Sequence, residues 1–464
     1  MIEITKRDVK GKSSPSGEKK HRGSMEITKD TAVDLNAELD QIEKPVLDSS
    51  KVLIPATKES YEKAIKQEQV KMGTSLDDVH KTFKKWLYIE DMDRLDLALA
   101  VGINYKTKGA SLWIVFVSPS GDWKSELLMS FTDLSNIVLM DQITKNTLAT
   151  GLKDTIDLGS QLTGNRSLLI FPDLASLMSS NRDDKKMIWA QFRELYDGRI
   201  TKRTGSGISK KYDKCYVNLL AGATSVIENE YLLRQQIGTR ELLYDCDPEP
   251  SQNKKKMEMA WENEGYEEEM RADLWRVVTD FCQFHKTKDI KITPEIKDFL
   301  FEQAEYLSLL RATGEIDWTT SELKGSVDRE VPTRLSKQFK RLWIALMSLD
   351  EDYPVETAKR IIRRLVNSSG SKARQKIIDV YKLSKNKDNW LSVSDMQLET
   401  SLGRKVVKSE CEQLTYLHSL EKRIHLMHIG GEVVPDRDEQ LAWSRGFDRE
   451  VEQYRAVRHD KPKP

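Results

Sequence analysis

The 464-residue chain is short of cysteine, of long apolar runs and of net charge. Its four cysteines, Cys215, Cys246, Cys282 and Cys411, are scattered, with no C-x-x-C pair among them. That spacing argues against a cysteine-based zinc site and fits reduced thiols in a cytoplasmic protein. No apolar run approaches the ~20 residues needed to cross a bilayer, so no membrane contact is expected. The opening "MIEITKRDVKGKSSPSGEKK" lacks the apolar core of a secretory signal. Lys plus Arg equals Asp plus Glu at 74 each, so total charge selects no partner class. Its distribution is informative: residues 356–428 carry fifteen Lys/Arg against eight Asp/Glu.

Residues 1–50 are polar and poor in aromatics, which predicts disorder. A helical region is expected over 51–105, where Phe83, Trp86 and Leu87 are spaced to share a face. Three apolar runs then follow: "SLWIVFV" (111–117), "RSLLIFPDL" (166–174) and "CYVNLLAGAT" (215–224). Helical stretches such as "DDKKMIWAQFRELYD" (183–197) separate them. Buried strands alternating with helices predict an α/β core on a mostly parallel sheet over 106–246. A charged linker is expected over 247–270 and an all-helical segment over 271–370. Three short helices and a hairpin around Gly430-Gly431 are expected over 371–435, with Ser394 capping the second helix, and a tail over 436–464.

The end of the first strand carries chemistry. A phosphate-binding loop reads G-x-x-x-x-G-K-[ST] between a buried strand and a helix. Here the frame gives Ser118-Pro119-Ser120-Gly121-Asp122-Trp123-Lys124-Ser125, followed by Glu126. The Lys-Ser pair is present, and Ser118 and Trp123 stand where glycines are usual. An ordinary backbone angle would let a tryptophan occupy that position, with Gly121 supplying the special conformation. A plain strand–turn–helix with a solvated lysine uses the same letters. What favours a phosphate loop is the sequel. Asp173 ends the second strand, where a carboxylate can hold a metal's water shell, and Thr224 ends the third. Leu174 follows Asp173 where a hydrolytic site often has glutamate, so the general base has no clear owner; Glu194 is one candidate.

Taken together, "SPSGDWKSELL", "RSLLIFPDLASLMSSNRDDKKMIWAQFRELYDGRITKRTGSG", "VNLLAGATSVIE" and "QQIGTRELLY" resemble AAA+-type P-loop ATPases of phages, plasmids and other mobile elements, akin to minichromosome maintenance helicases. The resemblance covers about 80 to 435. It implies a P-loop core with an α-helical lid and a C-terminal winged helix, ATP and Mg²⁺ as cofactors, and a homo-oligomeric ring or filament. Residue by residue, it implies Lys124 and Ser125 on the phosphates and Mg²⁺, Asp173 on the metal and Thr224 as sensor. It further implies Arg240 as an arginine finger toward a neighbouring subunit, and Arg334 of "VPTRLSKQFKRLW" as a second sensor on the lid.

Two basic segments suggest DNA as the partner. "DGRITKRTGSGISKKYDK" (197–214) sets Lys202, Arg203, Lys210 and Lys211 around a Gly-Ser-Gly tip, the pattern of a β-ribbon. The helix opening with Arg404, Lys405 and Lys408 stands where a winged helix meets DNA. A nucleotide-gated DNA-binding regulator with little or no hydrolysis fits the same residues.

Overall fold

A computed structural model describes residues 73–152, 155–205, 207–230, 234, 235, 238–246, 250–317, 319–383, 390–428 and 448–456. The expected disorder of 1–50 and the Gly430-Gly431 turn lie outside these residues. The first element among the described residues is α1 (Leu76–Trp86), whose N-cap Ser75 exchanges hydrogen bonds with Asp78 in a capping box. Its buried residues, Leu76, Val79, Phe83 and Trp86, recur at helical spacing. Next comes α2 (Asp93–Asn104), buried along its whole length.

The core follows as β1 (Trp113–Val117), α3 (Lys124–Met129), β2 (Ile137–Leu139), α4 (Leu158–Leu162), β3 (Arg166–Phe171), α5 (Ala175–Met178) and α6 (Arg182–Tyr196). A ribbon of β4 (Arg199–Arg203) and β5 (Ser209–Asp213) leads to β6 (Tyr216–Ala223) and β7 (Leu242–Asp245). β2, β3, β6, β1 and β7 lie side by side in that order as a five-stranded sheet, parallel throughout. The fold is therefore α/β, as the alternation of strands and helices predicts. Every residue of β1 is buried because both sheet faces are covered. Ile114 and Phe116 pack toward α2 and the later helices, while Trp113, Val115 and Val117 pack toward α6.

The remainder comprises α7 (Asn253–Glu262), α8 (Glu267–Phe284), α9 (Pro294–Arg311), β8 (Thr313–Ile316), β9 (Leu323–Asp328), α10 (Thr333–Leu346) and α11 (Val355–Ser369). The C-terminal part is α12 (Lys372–Leu383), β10 (Leu391–Ser392), α13 (Val393–Thr400), α14 (Arg404–Tyr416), β11 (Leu420–His428) and β12 (Asp448–Ala456). No helix among the described residues is long and apolar enough to cross a membrane.

Three segments depart from expectation. The charged stretch expected as a linker forms α7, whose residues are all at least partly exposed, so no apolar periodicity announces it. The segment expected to be all helix contains the β8–β9 hairpin, where the Asp317 carboxylate accepts from the backbone of Thr319 and Thr320 between the strands. Finally, β11 pairs with β12, from the segment expected as a tail, and β10 adds a third strand; the strand expected after Gly431 lies outside the described residues. The cap of α13 is Ser392 rather than Ser394, in a capping box with Asp395.

Arg374 is one of the side chains that dock the C-terminal part on the body, beside Lys372 on Asp245 and Lys408 on Glu322. Arg374 is 1% exposed. It donates to the carbonyls of Leu309 (2.8 Å) and Ala312 (2.6 Å) at the end of α9, to Glu410 Oε2 (2.8 Å) and to Gln413 Oε1 (3.1 Å). It thus satisfies helix-end carbonyls and a half-buried carboxylate at once. Arg374→Ala should lower the free energy of urea unfolding by about 3–5 kcal/mol, with Arg374→Lys recovering only part because the forked geometry is lost. A loss below about 1 kcal/mol would mean that other contacts hold the module.

Candidate functional site

The loop after β1 is fastened to β6 at its start, where Ser118 N–H donates to the Ala223 carbonyl (3.1 Å). It then turns through two residues of positive φ, Gly121 at 82° and Trp123 at 27°. Gly121 supplies a special conformation as expected. Trp123, however, does not sit at an ordinary angle. A side chain there costs on the order of 1 kcal/mol or more and persists only where its surroundings hold it. They do: the Arg94 guanidinium lies 3.6 Å from the Trp123 ring centroid, and the Phe83 ring meets it edge-on at 6.3 Å.

Lys124 opens α3 and is buried at 6% exposure. Its Nζ donates to the carbonyls of Ala223 (2.9 Å) and Ser118 (3.2 Å). The stem crosses Gly222, where a Cβ would stand 2.3 Å from the Pro172 carbonyl and 2.9 Å from Lys124 Cδ. Only glycine leaves the lysine its path. Burial lowers the pKa of Lys124, an effect opposed by the nearby Asp173 carboxylate.

These residues border a cavity of about 350 Å³. Its wall includes Pro119, Ser120, Gly121, Asp122, Trp123, Lys124, Ser125, Glu126, Asp173 and Thr224. Ser118, buried, is not in the wall and contributes through its backbone. Because β6 lies between β1 and β3, Thr224 ends between the lysine strand and the aspartate strand. Asp173 is exposed and accepts from Ala175 N–H (2.9 Å). A buried ammonium, a serine hydroxyl and an open carboxylate are the donor types a polyphosphate and its divalent cation require. No cluster of three His/Cys/Asp/Glu exists among the described residues to hold a metal by protein ligands alone.

Leu174 and Glu194 are the positions weighed for a general base. Leu174 is buried with its N–H on the Gly222 carbonyl. Glu194 is away from the cavity wall and accepts from Thr201 N–H at the base of the ribbon (3.1 Å). Glu126 is bound to Arg271 (2.9 Å).

Sequence reasoning missed the other side of the cavity. Trp86, Leu87 and Tyr88 precede α2, while Lys256, Met259 and Ala260 come from α7. Asp122 joins the two sides, bound by Arg94 (2.8 Å) and Lys256 (2.8 Å). Burial alone would raise the Asp122 carboxyl; the two cations outweigh it and hold its pKa below the usual value. An arginine between two aspartates at the head of the apolar helix "DRLDLALAVG" was the available signal.

Arg240 and Arg334 come together with each other, not with Lys124. Arg240 donates to the Gly238 carbonyl (3.2 Å) and stands 3.7 Å from Asp197. Arg334 is paired with Glu330 (2.5 Å) and Gln338 (3.2 Å). Burial first, and Arg334 next, lower the pKa of Arg240.

The basic ribbon forms as expected, yet strand alternation divides its cations. Lys202 and Lys210 are cross-strand partners on the inward face. Lys210 pairs with buried Asp157 (2.9 Å), and Lys202 donates to Asn146 Oδ1 (2.6 Å) and the Ala149 carbonyl (2.8 Å). Both of these lysines, expected on DNA, are engaged within the chain. Arg203 and Lys211 are exposed on the opposite face. On α14, Arg404 and Lys405 are exposed, whereas Lys408 is tied to Glu452 (3.4 Å) and Glu322 (3.8 Å).

No protein-family profile matches the chain, and no curated protein sequence matches it.

Gly222→Ala should disturb the cavity more than any surface change. The methyl group would overlap backbone at 2.3 Å, so a destabilisation of roughly 2–4 kcal/mol is expected in denaturant unfolding. A parent-like unfolding curve would mean that Lys124 does not need this path.

Proposed function

We propose that this chain is an ATP-dependent, DNA-acting motor of the AAA+ type, a replicative helicase or helicase-like ATPase of a mobile element. One observation carries the reading: Lys124, Thr224 and Asp173, which follow three adjacent parallel strands, share a single cavity. Its volume of about 350 Å³ lies in the range of small-ligand sites. Lys124 would bind the terminal phosphates, Ser125 and Asp173 would hold Mg²⁺, and Thr224 would sense the terminal phosphate. The cation supplies charge neutralisation when bound.

Three further features support the wider reading. The three helices α12, α13 and α14, followed by the β11–β12 ribbon, suit a winged-helix module. The outward Arg203 and Lys211, with Arg404 and Lys405, offer cations for DNA phosphates. Arg240 and Arg334 stand away from the chain's own cavity, so as catalytic arginines they would act on a neighbouring subunit in a ring or filament; Arg240 would have to leave Asp197.

A second reading is favoured by the catalytic gap: a nucleotide-gated DNA-binding regulator with little hydrolysis. Of the wall's carboxylates, Asp122 and Glu126 are already ion-paired, and Leu174 occupies the place of a base. Steady-state ATPase with and without single-stranded DNA separates the two: turnover stimulated by DNA supports the motor, and binding without turnover supports the regulator.

Lys124→Ala should cut ATP affinity by roughly 100-fold or more, with the far-ultraviolet circular dichroism unchanged. Parent-like affinity would remove the phosphate-loop assignment. On the ribbon, Arg203→Ala with Lys211→Ala should reduce the salt slope of DNA binding by up to roughly two units. Lys210→Ala should leave that slope alone and cost about 1–3 kcal/mol of stability, since Asp157 would remain buried without its cation. The opposite assignment of the two effects would contradict the division of faces.

A further inference from the structure

α7 borders the cavity through Lys256, Met259 and Ala260 without contributing a buried residue. Its side chains and flanking residues hydrogen-bond the body at four points. Gln252 at its N-cap donates to Glu90 Oε2 (2.7 Å), Lys255 to the Tyr88 hydroxyl (3.1 Å), Lys256 to Asp122 Oδ1 (2.8 Å) and Asn263 to the Trp86 carbonyl (2.8 Å). All four acceptors belong to the segment bordering the cavity or to the loop that carries Lys124. A helix with no buried residue, tethered by exposed and half-buried polar bonds, opens at low cost.

The charges at this wall are unequal. Asp122 is bound by two cations, Arg94 and Lys256, while its side chain is only 6% exposed. Arg94 is fixed: it stacks on Trp123 and reaches both the Asp122 carboxylate and its carbonyl. Lys256 is tied by one bond on a flexible stem, its side chain 21% exposed. With Arg94 in place, Asp122 keeps a partner if Lys256 leaves. One cation at the mouth of the Lys124 cavity is therefore in surplus and movable, and a compact ammonium on a long stem is suited to follow a phosphate oxygen.

We propose that Lys256 is a second phosphate-binding cation, parked on Asp122 until a nucleoside di- or triphosphate enters and then transferred to its phosphate oxygens, drawing α7 over the cavity. This rests on the nucleotide-binding reading above and adds to it a residue outside the phosphate loop. It also gives α7 a role: the polar tethers hold it near the site while allowing it to move. The signature is dependence on phosphate number, because a cation that merely shaped the loop through Asp122 would affect every nucleotide alike.

The test is calorimetric titration of AMP, ADP and ATP, each with Mg²⁺, into the full chain and its Lys256→Ala, Lys256→Arg and Lys124→Ala variants. Lys256→Ala should weaken ATP binding roughly ten-fold, leave AMP within about two-fold, and be largely rescued by Lys256→Arg. Hydrogen exchange over 253–262 should slow on adding ATP to the parent and not to Lys256→Ala. Equal losses for all three nucleotides would reduce Lys256 to a tether of the loop and overturn the proposal. Unchanged ATP affinity in Lys256→Ala, with affinity lost in Lys124→Ala, would overturn it while leaving the site intact. A parent protein that binds none of the three would overturn both.

Discussion

The site depends on one buried ammonium. Lys124 reaches the cavity by crossing β6 at the single position without a side chain, and it is held there by the Ser118 and Ala223 carbonyls. A cation this covered is costly unless it has strong acceptors, and here neutral carbonyls serve, with Asp173 near enough to oppose the effect of burial. The arrangement fixes much else. Gly222 must be glycine, β6 must lie between β1 and β3, and the loop must begin close to Ala223.

Around that lysine the loop adopts an uncommon solution. The tryptophan preceding it keeps a positive φ of 27°, and the cost falls on its surroundings. Arg94, from a helix that is otherwise core, stacks on the indole and binds Asp122 of the same loop. Backbone strain, a cation–π contact and an ion pair thus act on consecutive residues. Their coupling explains how a loop without the usual glycines can hold one shape, and why α1 and α2 are part of the site rather than a preceding domain.

The α/β sheet was legible in the sequence because strands buried on both faces read as continuous apolar runs, "SLWIVFV" above all. Lys124, Asp173 and Thr224 were legible for the same reason: each follows the end of such a run. The opposite wall was not. α7 has no buried face, so no period marks it, and "DPEPSQNKKKMEMAWENEGYEEEM" reads as solvent-facing charge. Division of the ribbon's cations was equally hidden, because alternation tells which residues share a face but not which face meets the 145–157 loop. Strand β12 escaped because its partner β11 lies across an intervening segment, and Arg374 because a buried arginine on an amphipathic helix looks like any surface cation until α9 is placed against it.

The central claim is that the cavity at Lys124 takes a nucleotide polyphosphate. Hydrogen–deuterium exchange of the unmodified protein with and without Mg·ATP tests it without any substitution. Saturating Mg·ATP should slow amide exchange in 118–126 and around Asp173, with smaller changes on the far faces of the sheet. Unchanged exchange in 118–126, or protection confined to a region remote from Lys124, would contradict it.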